Sequence, residues 1–441
     1  MIAFGLMQTH RMSEIRFPRA FRWGTATSAH QVEGNNTHND WWAWEQQPGR
    51  IVAGDRSGLA CDWWVHAERD FDAARDLHQN AHRLSVEWSR IQPETGRWDG
   101  DAIDRYREML RGLRERGIEP MVTLHHFTNP LWFAERGGWE RDDAAGLFAR
   151  FVERVVPALI DFADLWCTVN EPVGWAFSAY VSGVWPPGVR SARRGMKALT
   201  QMLRGHAAAY RIIHQVQPDA QVGFANYFRL FDPAQAASPL DRLVAAQQHR
   251  FVNMTFIDGA ATGRVRTLPW VVNLPEAART LDFVGVNYYT RDMVSFDLRN
   301  PKQFFGRNYP APGAPVSDGG YGEIYPEGLY RVLRLAAQYG KPIFITENGL
   351  PDDDDDRRPT FIVDHLSQVW RAMQEGIPVR GYYHWSLVDN FEWARGWSLK
   401  FGLIALDPAT QTRTLRSSAS VYAEICRDSA LNPRMLERFT R

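Results

Sequence analysis

The sequence predicts an α/β protein folded as a single (β/α)8 TIM barrel with elaborated loops at the C-terminal face of the strands. Three observations carry this. Eight short apolar or β-branched runs recur along the chain, helical-period stretches separate them, and polar residues gather where the runs end. Several runs are apolar on both faces, as in parallel strands buried on either side, and a count of eight favours closure over an open sheet.

The expected strands are 21–26, 82–88, 121–126, 165–170, 222–226, 283–288, 343–346 and 381–385, with amphipathic helices over 102–116, 144–162, 197–215, 329–339 and 363–375. In such a barrel the working face lies at the strands' C-terminal ends. Strand one leads into Ser28, Ala29, His30 and Gln31, strand two carries Arg83, and strand three ends in His125, His126 and Phe127. Strand four ends in Asn170 and Glu171, strand five in Asn226, strand six in Asn287, Tyr288 and Tyr289, and strand seven in Glu347 and Asn348. Strand eight ends in Trp385, followed by Asp389, Asn390, Phe391, Glu392 and Trp393. His82 reads as a satisfied core histidine and Glu87 as one half of a structural ion pair. The stretch 291–325, rich in Gly, Pro and Asn, reads as an irregular excursion between strand six and its helix, of the kind that shapes a pocket. The acidic run Asp352 to Asp356 reads as a solvated loop, its spacing unlike a calcium-binding EF-hand.

Bulk properties narrow the function. The 441 residues are 44% hydrophobic and 23% charged, ordinary for a globular chain with a large core, and large α/β barrels reach this length as one unit. No linker or repeat divides the chain, so 16–441 is expected to form the barrel domain behind a flexible segment 1–15. Lys plus Arg and Asp plus Glu number 51 each, which recommends neither nucleic acid nor an anionic membrane as partner. Cys61, Cys167 and Cys426 are odd in number and far apart, against a disulfide framework or a cysteine zinc site and in favour of a reducing, cytoplasmic setting. The first twelve residues lack the basic leader and apolar core of a signal peptide, and no run is long enough to span a bilayer.

Two strands end on a carboxylate: Ile343-Phe344-Ile345-Thr346-Glu347 and Trp166-Cys167-Thr168-Val169-Asn170-Glu171. A charge at the end of an apolar strand is expensive unless it is paired or working. Two of them on matching elements are what hydrolysis of a glycosidic bond requires. The surrounding amides, imidazoles and indoles suit sugar hydroxyls and ring faces.

Five motifs, in order, make the chain resemble family 1 glycoside hydrolases, the β-glucosidase family: 23–34 (Trp-Gly-Thr-Ala-Thr-Ser-Ala-His-Gln-Val-Glu-Gly), 168–172 (Thr-Val-Asn-Glu-Pro), 286–289 (Val-Asn-Tyr-Tyr), 345–349 (Ile-Thr-Glu-Asn-Gly) and 384–393 (His-Trp-Ser-Leu-Val-Asp-Asn-Phe-Glu-Trp). The resemblance spans about Phe17 to Cys426. It implies an exo-acting retaining β-glycosidase with Glu171 as general acid/base and Glu347 as nucleophile, supported by Arg83 and Tyr289. Retention calls for carboxyl groups about 5–5.5 Å apart. The resemblance further implies sugar contacts from Gln31, His126, Phe127, Asn170, Asn287, Trp385, Glu392, Trp393 and Phe401, with Asn170 at the 2-hydroxyl and Trp385 beneath the ring. It implies no metal and no cofactor. The substrates implied are small β-glucosides and oligosaccharides such as cellobiose, with galactose and fucose tolerated.

Departures refine this. Phe127 stands where the family often has Trp, which keeps an aromatic wall and removes an N–H donor near the 3-hydroxyl. The retained Glu392-Trp393 pair argues against a 6-phosphorylated sugar, and Glu171 argues against a thioglucosidase, which has Gln there. A transglycosidase would use the same site with an alcohol or sugar acceptor. A non-catalytic sugar-binding barrel would have lost a carboxylate, Arg83 or Tyr289, and none is lost. A metal-dependent barrel hydrolase is disfavoured because neighbouring strand residues such as His125 and His126 point to opposite faces.

Overall fold

The computed structural model describes residues 14–267 and 270–440. Its centre is a closed barrel of eight parallel strands: β1 (Arg22–Ala26), β2 (Ala81–Ser85), β3 (Glu119–Thr123), β4 (Leu165–Asn170), β5 (Gln221–Pro233), β6 (Phe283–Phe296), β7 (Ile343–Asn348) and β8 (Val379–Trp385). Each pairs with the next, and β8 returns to β1 with Gly381 opposite Arg22 and Trp385 opposite Ala26. The (β/α)8 fold is thus present, with every strand where the periodicity put one.

The interior is filled by alternate residues of successive strands. Ala26, Ala81, Leu165, Cys167 and Ala225 leave room for Phe283 and Phe344, whose rings meet edge to face at 5.2 Å. The opposite strand faces bury larger side chains under the helices, which is why the strands read as continuously apolar. Helix α1 (Gly100–Glu115) presents Ile103, Tyr106, Leu110 and Leu113 to that layer, and Asp99 caps it by accepting from the Ala102 amide at 3.0 Å. Helices α2 (Ala144–Leu159), α3 (Ala192–Val216), α4 (Glu327–Ala337), α5 (Arg358–Gln374) and α6 (Ser417–Asp428) complete most of the outer ring. At the base, Ile15–Arg16 pairs antiparallel with Ala430–Leu431, and the Tyr422 hydroxyl donates to the Gly24 carbonyl at 2.7 Å. Most of the segment expected over 1–15 lies outside the described residues; Ile15 itself is paired. Among the described residues no helix is long and apolar enough to cross a membrane.

Four expectations are corrected. β5 and β6 do not stop at Asn226 and Tyr288 but continue side by side to Pro233 and Val294, and Gly306–Tyr309 adds an antiparallel strand. The charges that interrupt the apolar pattern there are paired across the extension: Arg229 with Asp292, and Arg291 with Asp232 and Glu323. The first part of 291–325 is therefore strand. β2 ends at Ser85 and β3 at Thr123, so Glu87, His125 and His126 lie on the turns beyond. Glu87 makes no ion pair among the described residues; its carboxylate accepts from the Ser89 hydroxyl at 2.7 Å and the Thr128 hydroxyl at 2.8 Å. The acidic run is not a solvated loop throughout, because Asp352 and Asp355 are buried: Asp352 accepts from the Arg358 amide at 2.8 Å, and Asp355 is paired with the Arg358 guanidinium. His82 is a satisfied core residue, its ring nitrogens each 3.1 Å from Thr25 and Thr27 hydroxyls.

Candidate active site

The strand ends converge on Arg83, which is completely buried on β2. Its Nε donates to the Thr123 hydroxyl at 3.0 Å, one terminal nitrogen to Glu347 Oε1 at 2.6 Å and the other to Asn170 Oδ1 at 2.6 Å. A single planar fork therefore sets the positions of β3, β4 and β7 side chains together. The Tyr289 hydroxyl takes the second oxygen of Glu347 at 2.7 Å. Gly349 holds this corner shut: a Cβ there would sit 1.9 Å from the Trp385 carbonyl oxygen, so only glycine lets β7 and β8 approach.

Glu171 follows β4 in a left-handed backbone conformation, φ +43°, with its amide donating to the Ala225 carbonyl at 2.8 Å. Among the described residues its carboxyl has one side-chain donor, Asn287 Nδ2 at 2.8 Å. Asn287 is aimed by the Thr346 hydroxyl, which donates to its oxygen at 2.6 Å. Glu171 thus meets an amide where Glu347 meets a guanidinium and a phenol.

Charge follows from this difference. Withdrawal from water, then the neighbouring Glu347 charge, push Glu171 up to about 8. Burial raises Glu347 too, against the pull of Arg83, Tyr289 and Asn287. Among the described residues Glu347 has a cation in contact, Arg83, and Glu171 has none, so the charge the pair carries at neutral pH sits on Glu347 and the proton on Glu171. Glu392 is likewise pushed up to about 8 by withdrawal from water and by Glu347. Burial and Arg83 hold His126 well below its ordinary value, so it is neutral.

A cavity of about 720 Å³ opens over the pair, walled by Gln31, His126, Phe127, Asn170, Tyr289, Trp385, Glu392 and Trp393, all expected from the sequence. Gln31 donates to Glu392 Oε2 at 3.2 Å, and Asn170 lies 3.1 Å from His126 Nε2. The His126 ring lies nearly parallel to the indoles of Trp385 and Trp393, each centroid 6.1 Å away. His125 points the other way, 3.1 Å from Asn129 and edge-on to Trp139, so the two histidines do face apart. Two residues expected to touch sugar are not on this wall. Asn287 is fully buried behind Glu171, and Phe401 packs behind the wall against Tyr289 and Tyr321 at 6.1 and 5.3 Å. The wall also contains Trp185, Tyr227, Arg229 and Tyr321, which the sequence reading did not single out. Tyr227 and Arg229 lie on the β5 extension, where alternation with Phe228 and Leu230 was the available signal; Trp185 and Tyr321 sit on loops without periodicity.

An unequal carboxylate pair on a closed parallel barrel, beneath stacked aromatic rings, defines the class as a glycoside-cleaving enzyme. Comparison with known proteins narrows it. The model of glycosyl hydrolase family 1 matches residues 13–430. Beta-glucosidase A of Thermotoga maritima is 32% identical over 95% of this chain and all of its own length, and a beta-galactosidase of Sulfolobus acidocaldarius is 33% identical over 97% and 98%. The solved beta-glycosidase from Pyrococcus horikoshii superimposes with a TM-score of 0.91 at 38% identity, covering 97% of this chain and 98% of that one. The chain belongs to glycosyl hydrolase family 1 and is a β-glycosidase.

Proposed function

We propose that this protein, with 16–441 as its catalytic unit, is an exo-acting retaining β-glucosidase with β-galactosidase and β-fucosidase side activity. The observation that carries the reading is the unequal partnering of the carboxylates: Arg83 and Tyr289 on Glu347, an amide alone on Glu171. Glu347, ionised, attacks the anomeric carbon while Glu171 gives its proton to the departing glycosidic oxygen. The glycosyl ester that forms removes the charge of Glu347. Glu171 then falls in pKa and takes a proton from the water that cleaves the ester, returning the original anomeric configuration. Asn170, held by Arg83, meets the 2-hydroxyl, a contact that strengthens as the ring flattens toward an oxocarbenium ion. Gln31 and Glu392 take hydroxyls farther round the ring, above the indole of Trp385. The substrates are small β-glucosides and oligosaccharides such as cellobiose, and three buried unpaired cysteines support a cytoplasmic setting.

Glu347→Ala tests the assignment. Hydrolysis of an aryl β-glucoside should fall by about 10⁴-fold or more, and added azide should restore turnover with an α-glucosyl azide product. Retained activity, or rescue with a β-azide, overturns the role of Glu347.

A further inference from the structure

We infer that the mouth of the active-site cavity recognises a carboxylate on the leaving group, making β-glucosides of phenolic acids a substrate class of this enzyme. The inference rests on the exo-acting glucosidase reading, in which the sugar fills the closed end of the cavity and the leaving group reaches its rim.

Three guanidinium groups stand on that rim: Arg50 on the loop after β1, Arg190 on the loop after β4 and Arg395 on the loop after β8. All three are exposed, and among the described residues none of them forms an ion pair. Arg229, on the same wall, is by contrast paired with Asp292 at 2.7 Å. Asp55 packs beside Gly396, yet its carboxylate accepts from the Trp397 amide at 2.8 Å and leaves Arg395 unpaired.

Arg50 is held ready for a ligand. Its guanidinium lies over the Trp44 ring at 3.8 Å and its Nε donates to Gln47 Oε1 at 3.1 Å, so both terminal nitrogens are without a partner among the described residues. Trp44 is buried, and its ring edge fits against Gly188, where a Cβ would sit 2.6 Å from it. Gly188 lies two residues before Arg190, so Trp44 joins the loops that carry the two arginines. A stacked guanidinium with a free fork is the shape that receives a carboxylate through two parallel hydrogen bonds.

The acids deeper in the cavity do not cancel this charge. Glu347 is met by Arg83 at 2.6 Å, and Glu171 and Glu392, both pushed up to about 8, hold their protons at neutral pH. The rim therefore carries three positive charges above a nearly neutral floor, and a cleft lined by one sign of charge concentrates ligands of the other. The reaction stays a hydrolysis: the bond from the anomeric carbon to the aryloxy oxygen breaks, one water is consumed, and the phenol leaves carrying the proton of Glu171.

The experiment compares kcat/KM for 4-carboxyphenyl and 4-carbamoylphenyl β-D-glucoside, which match in shape and differ in charge. The carbamoyl group withdraws electrons more strongly, so intrinsic reactivity favours the neutral substrate and an advantage for the carboxylate reports recognition. At low salt the carboxylate should lead by about fivefold, the scale of a well-formed exposed ion pair. The lead should vanish at about 1 M salt, where charges are screened beyond about 3 Å. Arg50→Gln and Arg190→Gln should each reduce the low-salt ratio severalfold, and a ratio cancels any loss common to both substrates. A ratio at or below one, a ratio unmoved by salt, or a ratio unmoved by both substitutions overturns the inference, as does no turnover of the carboxylate while 4-nitrophenyl β-D-glucoside is cleaved. Failure on all three glucosides removes the underlying glucosidase reading and this inference with it.

Discussion

Glu171 and Glu347 have the same side chain and share the same cavity, but one hydrogen-bonds an amide and the other a cation. This difference has a consequence in the pH profile. Glu171 holds its proton up to about 8, so kcat/KM should fall on the alkaline side as pH passes that value. The Asn287 amide donates to the ionised form of Glu171 and so lowers its pKa. Asn287→Ala removes that pull, and the alkaline limb should move to higher pH while kcat drops. A limb that stays in place or moves down would refute this account. The carboxylates themselves were legible in the sequence because a charge ending an apolar strand stands out. Glu87 was not legible: its partners are the hydroxyls of Ser89 and Thr128, the second 41 residues away, and nothing local distinguishes hydroxyls from a cation.

Elements position these residues through a few unusual joints. Phe127, Glu171 and Trp393, all on the cavity wall, have positive φ (72°, 43° and 49°), so the turns leaving β3, β4 and β8 hold working side chains in conformations that cost about 1–3 kcal/mol each. The loop after β7 is held differently. Arg358 is wholly buried and donates to the Lys400 carbonyl at 2.8 Å as well as to Asp355, while Asp355 accepts from the Ser417 hydroxyl at 2.7 Å and the Ser418 amide at 2.8 Å at the start of α6. Arg358→Ala leaves Asp355 charged and buried beside empty carbonyls, and should cost about 3–5 kcal/mol, read as a lower urea midpoint, whereas Arg371→Ala, on the exposed side of α5, should change it little. The eight strands and most of the helices could be read from periodicity alone. The β5 and β6 extensions could not, because their charges become acceptable only through partners some 60 residues away, as with Arg229 and Asp292. The acidic run misled for a different reason: its partner Arg358 is only three residues beyond Asp355, but nothing local shows that this arginine turns inward and is buried.

At the scale of the molecule, the cavity carries a stability cost that depends on pH. Glu392 keeps its proton in the folded state up to about 8, whereas its ordinary value is 4.5. The folded state therefore loses stability as pH rises from about 4.5 towards 8, where the unfolded chain ionises freely and the folded one does not. Glu392→Gln should be neutral for stability near pH 4 and stabilising near pH 8, by about 1–3 kcal/mol, with lower activity because a sugar contact is altered. Melting temperatures at the two pH values check it; equal gains at both would contradict the titration. Barrel closure, too, belongs to this scale. β1 has one of its two neighbours in β8, with Gly381 opposite Arg22, so an edge of the first strand waits for a segment made more than three hundred residues later. At ribosomal speeds of about 5–20 residues per second, that edge stays open for tens of seconds on every nascent chain. For that interval the newborn protein is a half-built sheet with an unpaired border, and chaperones able to shield such a border would have their greatest effect on yield then.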